Sequence, residues 1–286
     1  FTSYTGGHGV PMTAVNKALW ALKLGDFNLL VSGQITDQTQ MLYRRNIVTR
    51  ASELAPFLTF DADPYIVVAN GKLYWILDAY TTGDTYPYSQ TTTFQPNSNN
   101  PFEVNYVRNS VKVVVDAYSG ATSFYIVDNK DPLIKAYAAT FPSLFKPVSA
   151  MPAELRAHLR VPIDLFDAQM QMYATYHITD PKVFFSREDV WDIPTAQTSP
   201  GSAPTPVQPY YVLFRLPGQQ NAEFLLIMPF TPRGKNNMVS WVAARNDGAN
   251  YGQYVSYVLP KDKAIFGPQQ VANLINQDPT ISQAFT

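Results

Sequence analysis

The sequence predicts an α+β fold, antiparallel β-hairpins packed with segregated helices and room for two lobes, and three observations carry that expectation. Apolar residues recur at helical spacing through the first sixty residues, the period shortens to two from Tyr65, and turn dipeptides punctuate the strand-like runs. Two of those runs end on nearly the same words, Leu73-Tyr74-Trp75-Ile76-Leu77-Asp78-Ala79-Tyr80 and Val111-Lys112-Val113-Val114-Val115-Asp116-Ala117-Tyr118. Each reads as a strand running into a polar turn.

Taken in order, the first helix follows the Gly6-Gly7-His8-Gly9 loop and sets Val15, Ala18, Leu19 and Leu22 on one core-facing side until Gly25 stops it. A second helix sets Ile47, Ala51, Leu54, Ala55 and Leu58 on one side, leaves Arg45, Arg50 and Glu53 elsewhere, and ends near Pro56. Tyr65 to Ala69, Asn70-Gly71 and Lys72 to Leu77 form the strongest hairpin signal, because Asn-Gly accepts the positive φ angles of a two-residue turn. Leu73, Trp75 and Leu77 face one way and Tyr74 and Ile76 the other, so this strand is expected to be covered on both sides. The second hairpin turns at Ser119-Gly120 and returns through Ser123 to Val127.

Between the hairpins, Thr82 to Pro101 is a long polar loop containing Tyr86-Pro87-Tyr88 and the run from Pro96 to Asn100. Asp131-Pro132 starts a helix with the cap and the first-position proline that a helix favours. Pro152 opens a short helix carrying Arg156, His158 and Arg160, and Pro162 a longer one with Phe166, Met170 and Tyr173 on one face and His177 near its end. Residues 195–209 are rich in Pro, Ser and Thr and read as a loop or linker. That divides the chain into a helix-rich lobe, 1–194, holding the hairpins around 65–127, and a lobe of strands with a C-terminal helix, 210–286. The second lobe holds a hairpin across Pro217-Gly218, a strand over Tyr251 to Leu259, and a last helix from Gly267-Pro268 with Val271, Leu274 and Ile275 inward.

Composition removes several function classes. The 286 residues carry a net charge of -1 with no basic run longer than Arg44-Arg45, so the electrostatic footprint of a nucleic-acid site is missing. With no cysteine, thiolate catalysis, Cys-based zinc sites and disulfides are out of reach. There is no His-Glu-x-x-His spacing, no Gly-x-Ser-x-Gly elbow and no phosphate-binding glycine loop, and neither a metal nor another cofactor is predicted. Charged residues are only 15% and aromatics 14%, which fits a Tyr-rich globule with much loop.

The remaining chemistry is carried by scattered groups, each with two readings. Asp61 and Asp63 either project together for metal or acid/base work or cap the turn before Pro64. Asp78 and Asp116 either meet at one rim of the sheet, as paired carboxylates of a hydrolase would, or accept backbone N–H bonds in turns. His177 is a proton-transfer candidate. Arg44, Arg45, Arg156, Arg160 and Arg187 either gather around an anion or pair with nearby Glu and Asp. Tyr86 and Tyr88 either form a stacking platform for a sugar or protein or line an ordinary rim.

The chain also resembles a family of bacterial integral membrane proteins, uncharacterised protein family 0182. The resemblance rests on Pro56-Phe57-Leu58-Thr59-Phe60-Asp61 with Asp63-Pro64-Tyr65, on Leu73 to Thr82, and on Arg108-Asn109-Ser110-Val111-Lys112-Val113. It continues at Met151-Pro152 with Leu155 to Arg160, Tyr176-His177 with Thr179-Asp180-Pro181, Arg187 to Trp191, and Pro229-Phe230-Thr231-Pro232. It implies transmembrane helices before Phe1 and a soluble region on the outer side of the cell membrane, of which this chain is a central piece. No activity or catalytic pattern comes with the resemblance. The implied constant partner is the transmembrane portion of the same protein. With that address, the aromatic content and the absent catalytic motifs point to an envelope lipid, glycan or protein as a further partner, oligomers stay open, and the missing basic footprint leaves no nucleic acid among the partners. The leading functional expectation is a binding domain in envelope assembly or transport. Its rivals are a carboxylate-dependent envelope hydrolase built on Asp61, Asp63, Asp78 and Asp116, and a structural or oligomerisation module.

Overall fold

Period-two patterning from Tyr65 onward folds into antiparallel sheet, and the helical spacings before it fold into helices. The structure is a computed structural model describing residues 4, 6, 8–96, 101–197 and 202–284. By its contacts the chain forms two compact units, one holding residues up to Pro87 together with Tyr106–Arg156, the other Tyr88–Gln95 and everything from Ala157. The Pro/Ser/Thr-rich stretch at 195–209 lies inside the second unit, where Thr195–Ala196 pairs with Thr205–Pro206; residues 198–201 are outside the described residues.

The first unit begins with α1 (Ala14–Leu24) and α2 (Asn28–Val31). Thr13 Oγ1 caps α1 by accepting from Asn16 N, and Gly25 ends it in the left-handed conformation at φ 68°. Its expected inward face is a correction: Val15, Leu19 and Leu22 are exposed, and Trp20 and Ala21 are the buried residues. One turn of periodicity chose the wrong stripe because Trp20 covers more area than any aliphatic beside it. α3 (Ile47–Leu54), capped by Asn46, buries Ala51 as expected, but Leu54, expected on the same inward face, is exposed.

The sheet of this unit runs through β1 (Thr59–Phe60), β2 (Tyr65–Ala69), β3 (Lys72–Gly83), β4 (Tyr106–Asp116), β5 (Thr122–Ile126) and, after α4 (Pro132–Thr140), β6 (Phe145–Pro147). Their order is β6-β5-β4-β3-β1, with β2 also on β3. The β2–β3 turn has Asn70 at φ 50° and Gly71 at φ 71°, the two positive angles that Asn-Gly predicts. On one face Leu77 and Ala79 of β3, Val111, Val113 and Val115 of β4 and Phe124 of β5 pack against Ala51 and Ala55 beside α3 and Ile134 of α4. Each fully buried Val, Leu, Ile or Phe side chain among them is worth about 1.5–3 kcal/mol. The alternate residues Ile76, Asp78, Tyr80, Ser110 and Lys112 are buried too, so the central stretches of β3 and β4 are covered on both faces, while Leu73 at the start of β3 is exposed. α4 starts where Asp131-Pro132 predicts. The Pro152 helix, α5 (Ala153–Arg156), is shorter than expected and leaves His158 and Arg160 beyond its end.

In the second unit, α6 (Ile163–Tyr176) lays Phe166, Met170 and Ala174 on a sheet built from β7 (Trp191–Asp192), β8 (Tyr210–Phe214), β9 (Glu223–Pro232), β10 (Ser240–Arg245) and β11 (Tyr254–Val258). Leu226, Met228 and Phe230 of β9 and Val242 and Ala244 of β10 receive it. The strand order is β7-β9-β10-β11 with β8 also on β9. After the short α7 (Pro181–Ser186), α8 (Pro268–Gln277) starts at the predicted Gly-Pro, but Val271, Leu274 and Ile275 are exposed rather than inward, and a further helix, α9 (Pro279–Ala284), follows it. Among the described residues no helix is long and apolar enough to cross a membrane.

Candidate functional site

The polar groups of the first unit divide between the interior of the sheet and its rim. Inside, β3 and β4 set Asp78 directly opposite Lys112, and the two form an ion pair with almost no solvent contact. Next along the ladder, Asp61 N donates to Asp78 O at 3.0 Å. The Asp61 carboxylate accepts from Tyr80 OH at 2.6 Å and from Asp63 N at 2.8 Å. Burial pushes the Asp61 carboxyl above its ordinary value, the Tyr80 hydrogen bond opposes that, and the neighbouring Asp78 adds to it.

A second interior carboxylate has the opposite balance. Asp131 accepts from Ser110 Oγ at 2.5 Å, Thr81 Oγ1 at 2.6 Å, Tyr106 OH at 2.7 Å and Leu133 N at 2.9 Å. Burial alone would raise its pKa, but the donors outweigh it and hold the carboxyl below the usual range. The same contact and its own burial push the Tyr106 phenol up to about 12.

At the rim the charges are not saturated. Where α3 meets the β4–β5 turn, a cavity of about 80 Å³ is lined by His8, Tyr43, Arg45, Arg50, Trp75 and Tyr118 among others. Arg50 donates from Nη1 to Arg44 O at 3.0 Å, and among the described residues neither Arg45 nor Arg50 forms an ion pair. The Arg50 guanidinium lies over Gly120, where an added Cβ would stand 3.0 Å from Cζ and press the guanidinium aside; the residue also sits at φ +74°, the conformation that favours glycine. Asp116 also lines the cavity, but its Oδ1 accepts from Tyr118 N at 3.0 Å and Ser119 N at 2.7 Å. Burial works against its ionisation, and the Ser119 and Tyr118 donors with the charge of Lys72 hold its pKa below the usual value. The rim therefore presents two guanidinium groups and an imidazole among aromatic rings, with its one acid already engaged.

Of the two readings of Asp78 and Asp116, the meeting at one rim does not occur, and the turn reading holds for Asp116 but not for Asp78. Asp78 lies mid-strand opposite Lys112, and Asp116 lies opposite Tyr74, so four residues of ladder, about 13 Å, separate them. A repeated local sequence says nothing about register, and the two runs pair antiparallel with an offset. Asp63 N completes a turn on Asp61, the capping arrangement of the two alternatives.

The five arginines do not gather into one site within either unit. Arg44 pairs with Glu53, and Arg156 Nη2 donates to Met151 O at 3.2 Å. In the second unit Arg160 stacks over Tyr211 at 4.8 Å, and exposed Arg187 ends a short helix at φ 55°. Only Arg45 reaches the cleft, joined by Arg50 and His8; Arg45 lies just before the Asn46 cap and Arg50 on α3 itself, and no local pattern marks that spacing.

Tyr86 stacks on Tyr106 with centroids 5.4 Å apart, while Tyr88, at φ 59°, is fully exposed. His177 stacks on Trp191 with centroids 3.5 Å apart, its Nδ1 3.1 Å from Tyr173 O. Among the described residues no group of three or more His, Asp or Glu side chains could hold a metal ion.

Comparison with known proteins adds family and length. The profile described as Uncharacterised protein family (UPF0182) matches residues 1–286. A UPF0182 protein of Pelotomaculum thermopropionicum is 48% identical over 100% of this chain and 30% of its own length. That of Sulfurovum sp. is 48% identical over 100% of the chain and 31% of its own, and that of Trichodesmium erythraeum 44% identical over 100% and 32%. The chain thus spans about a third of the length of the curated relatives it matches. No solved structure matches it.

Proposed function

The chain belongs to the Uncharacterised protein family (UPF0182), and from that premise we propose that it is a non-catalytic binding module of a longer polypeptide, receiving an anionic group in the rim cleft. The observation that carries this reading is the pair Arg45 and Arg50, on a cavity with His8, Tyr43, Trp75 and Tyr118 and without an ion pair among the described residues. Guanidinium groups left unpaired beside aromatic rings suit a phosphate or carboxylate, which they bind by charge-assisted hydrogen bonds. We place the module on the extracytoplasmic side of a cell membrane, with the rest of its own polypeptide as its constant partner and envelope assembly or transport as its setting. Support for that address is the sequence resemblance together with relatives about three times as long.

A hydrolase built on the strand aspartates is the weaker reading. Asp61 and Asp78 are neighbours, yet they are 5% and 2% exposed and Lys112 already neutralises Asp78, so a substrate has no approach to them.

Calorimetric titration of the 286-residue chain with inorganic phosphate at low salt tests the binding reading. One saturable site is expected, with a dissociation constant on the order of 1 mM, the affinity that about two charge-assisted hydrogen bonds supply. Arg50→Ala should abolish the heat. No saturable heat in the wild-type chain, or an unchanged one in the variant, removes the cleft from consideration. Native mass spectrometry of the intact polypeptide extracted from membranes tests the address; a free chain of 286 residues in the soluble fraction would contradict it.

A further inference from the structure

The cleft does not stop at its arginines. The turn residues Asp116, Ala117, Tyr118 and Ser119 that wall it also wall a second cavity of about 550 Å³, whose other side carries Lys72 and Leu73. That volume lies within the range of pockets that take small molecules. From Leu73 the apolar surface continues across the hairpin, because Leu73 pairs with Val68 and Trp75 with Ile66. Directly paired residues project from the same face of an antiparallel sheet. Trp75 lines the arginine cavity, while Ile66, Val68 and Leu73 are 48%, 63% and 50% exposed. This is the face that α3 covers farther along, where Leu77 and Ala79 are buried against Ala51 and Ala55. A cationic pocket is therefore joined to an uncovered strip of branched aliphatic side chains with no charged residue on that strip.

Resting on the anion-binding reading above, we propose that the ligand is an anionic amphiphile: a lipid whose phosphate-type head group sits between Arg45, Arg50 and His8 and whose hydrocarbon chain lies along Leu73, Val68 and Ile66. A free phosphate or sugar phosphate would use the arginines and leave the strip wet. A purely apolar partner would use the strip and leave two guanidinium groups unpaired. Only a molecule with a negative head and a hydrocarbon tail satisfies both, and the shared wall at 116–119 sets the two ends side by side.

The test compares three ligands below their micelle concentrations on the 286-residue chain by calorimetry: glycerol phosphate, dihexanoyl phosphatidate and dihexanoyl phosphatidylcholine. Phosphatidate is expected to bind at least tenfold tighter than glycerol phosphate, since removing about two methylenes from water is enough for that factor. Phosphatidylcholine is expected to bind more weakly than phosphatidate. Leu73→Ser with Val68→Ser should bring phosphatidate down to the glycerol phosphate affinity while glycerol phosphate binds as before, which also shows that the exposed substitutions leave the fold intact. Equal affinity for phosphatidate and glycerol phosphate overturns this inference and leaves the anion reading standing. Equal affinity for phosphatidylcholine and phosphatidate overturns it as well, because the head-group charge is then irrelevant. Failure of all three to bind removes both readings. Concentration-dependent dimerisation abolished by the same double substitution would assign the strip to a second copy and overturn the lipid.

Discussion

The interior of the first sheet and its rim both hold charged groups, but they treat them in opposite ways. Inside, Lys112 is matched by Asp78, and Asp131 accepts from three hydroxyls and a backbone N–H. At the rim, Arg45 and Arg50 stand beside aromatic rings without an ion pair among the described residues, and the carboxylate that lines their cavity, Asp116, is bound into its own turn. Buried charges must be paired or the fold loses several kcal/mol, whereas charges at a surface can wait for a ligand at little cost. The contrast separates groups that hold the sheet together from groups free to recognise something.

The largest effect is expected at Lys112. Replacing it with Met leaves Asp78 charged and buried without its partner, which should lower unfolding stability by about 3–5 kcal/mol. Adding Asp78→Leu removes the orphaned charge and should restore most of that loss. Urea unfolding of the single and double variants checks both. A single variant of wild-type stability would mean that the pair is not structural, and the interior would return as a candidate site.

Next come the two other interior carboxylates, which should move oppositely with pH. Asp131 has its pKa lowered in the fold, so its contribution is present above the unfolded value of about 3.9 and is lost as pH falls through the folded value. Asp131→Asn should cost about 2 kcal/mol at pH 7, from donors left facing an amide, and the gap from wild type should close below about pH 4. Asp61 has its pKa raised, so its contribution is present below the unfolded value and is lost as pH rises through the folded one. Asp61→Asn should therefore be neutral or stabilising at pH 7 and show no benefit in acid. Thermal unfolding across pH 3–8 distinguishes them; a loss at neutral pH in both would show that hydrogen-bond geometry outweighs charge.

How far the sequence foretold this is clearest in the same residues. Asn70-Gly71, Gly25 and Asp131-Pro132 each act through a local backbone requirement, and each element begins or ends where they predict. Which face is buried was less legible: the stripe on α1 and that on α8 point outward, because one or two helical turns of periodicity do not say what lies against them. β10 was missed although it is central in its sheet; its Ser-Trp-Val-Ala-Ala-Arg run carries small residues in place of the branched ones that announce a strand. The site was least legible of all. Arg45, Arg50, His8 and the β4–β5 turn come from separate segments, and only the packing of α3 on the sheet brings them together. The aspartates that looked chemical in sequence are the ones the fold consumes.

Gly120 links the turn to the cleft and should show a smaller effect on stability. Alanine there is held at positive φ, a penalty of about 1–2 kcal/mol, and its Cβ meets the Arg50 guanidinium. Unfolding should register that loss, and phosphate affinity should fall with it because Arg50 must move. Retained affinity in Gly120→Ala would show that Arg50 binds from a position other than the one over the turn.

Arg45 should have the smallest effect on folding and is the sharpest test of the contrast. Its side chain is exposed and has no ion pair among the described residues, so Arg45→Ala should change unfolding stability by no more than about 0.5 kcal/mol, as for surface substitutions away from special features. Phosphate affinity should nevertheless drop about tenfold, the loss expected when one charge-assisted hydrogen bond worth about 1.5 kcal/mol is removed. The two readouts belong on one sample, because a recognition residue and a packing residue differ in whether binding and stability change together. A large stability loss with unchanged binding would make Arg45 a packing residue like Lys112, and the rim would then be built on the same terms as the interior.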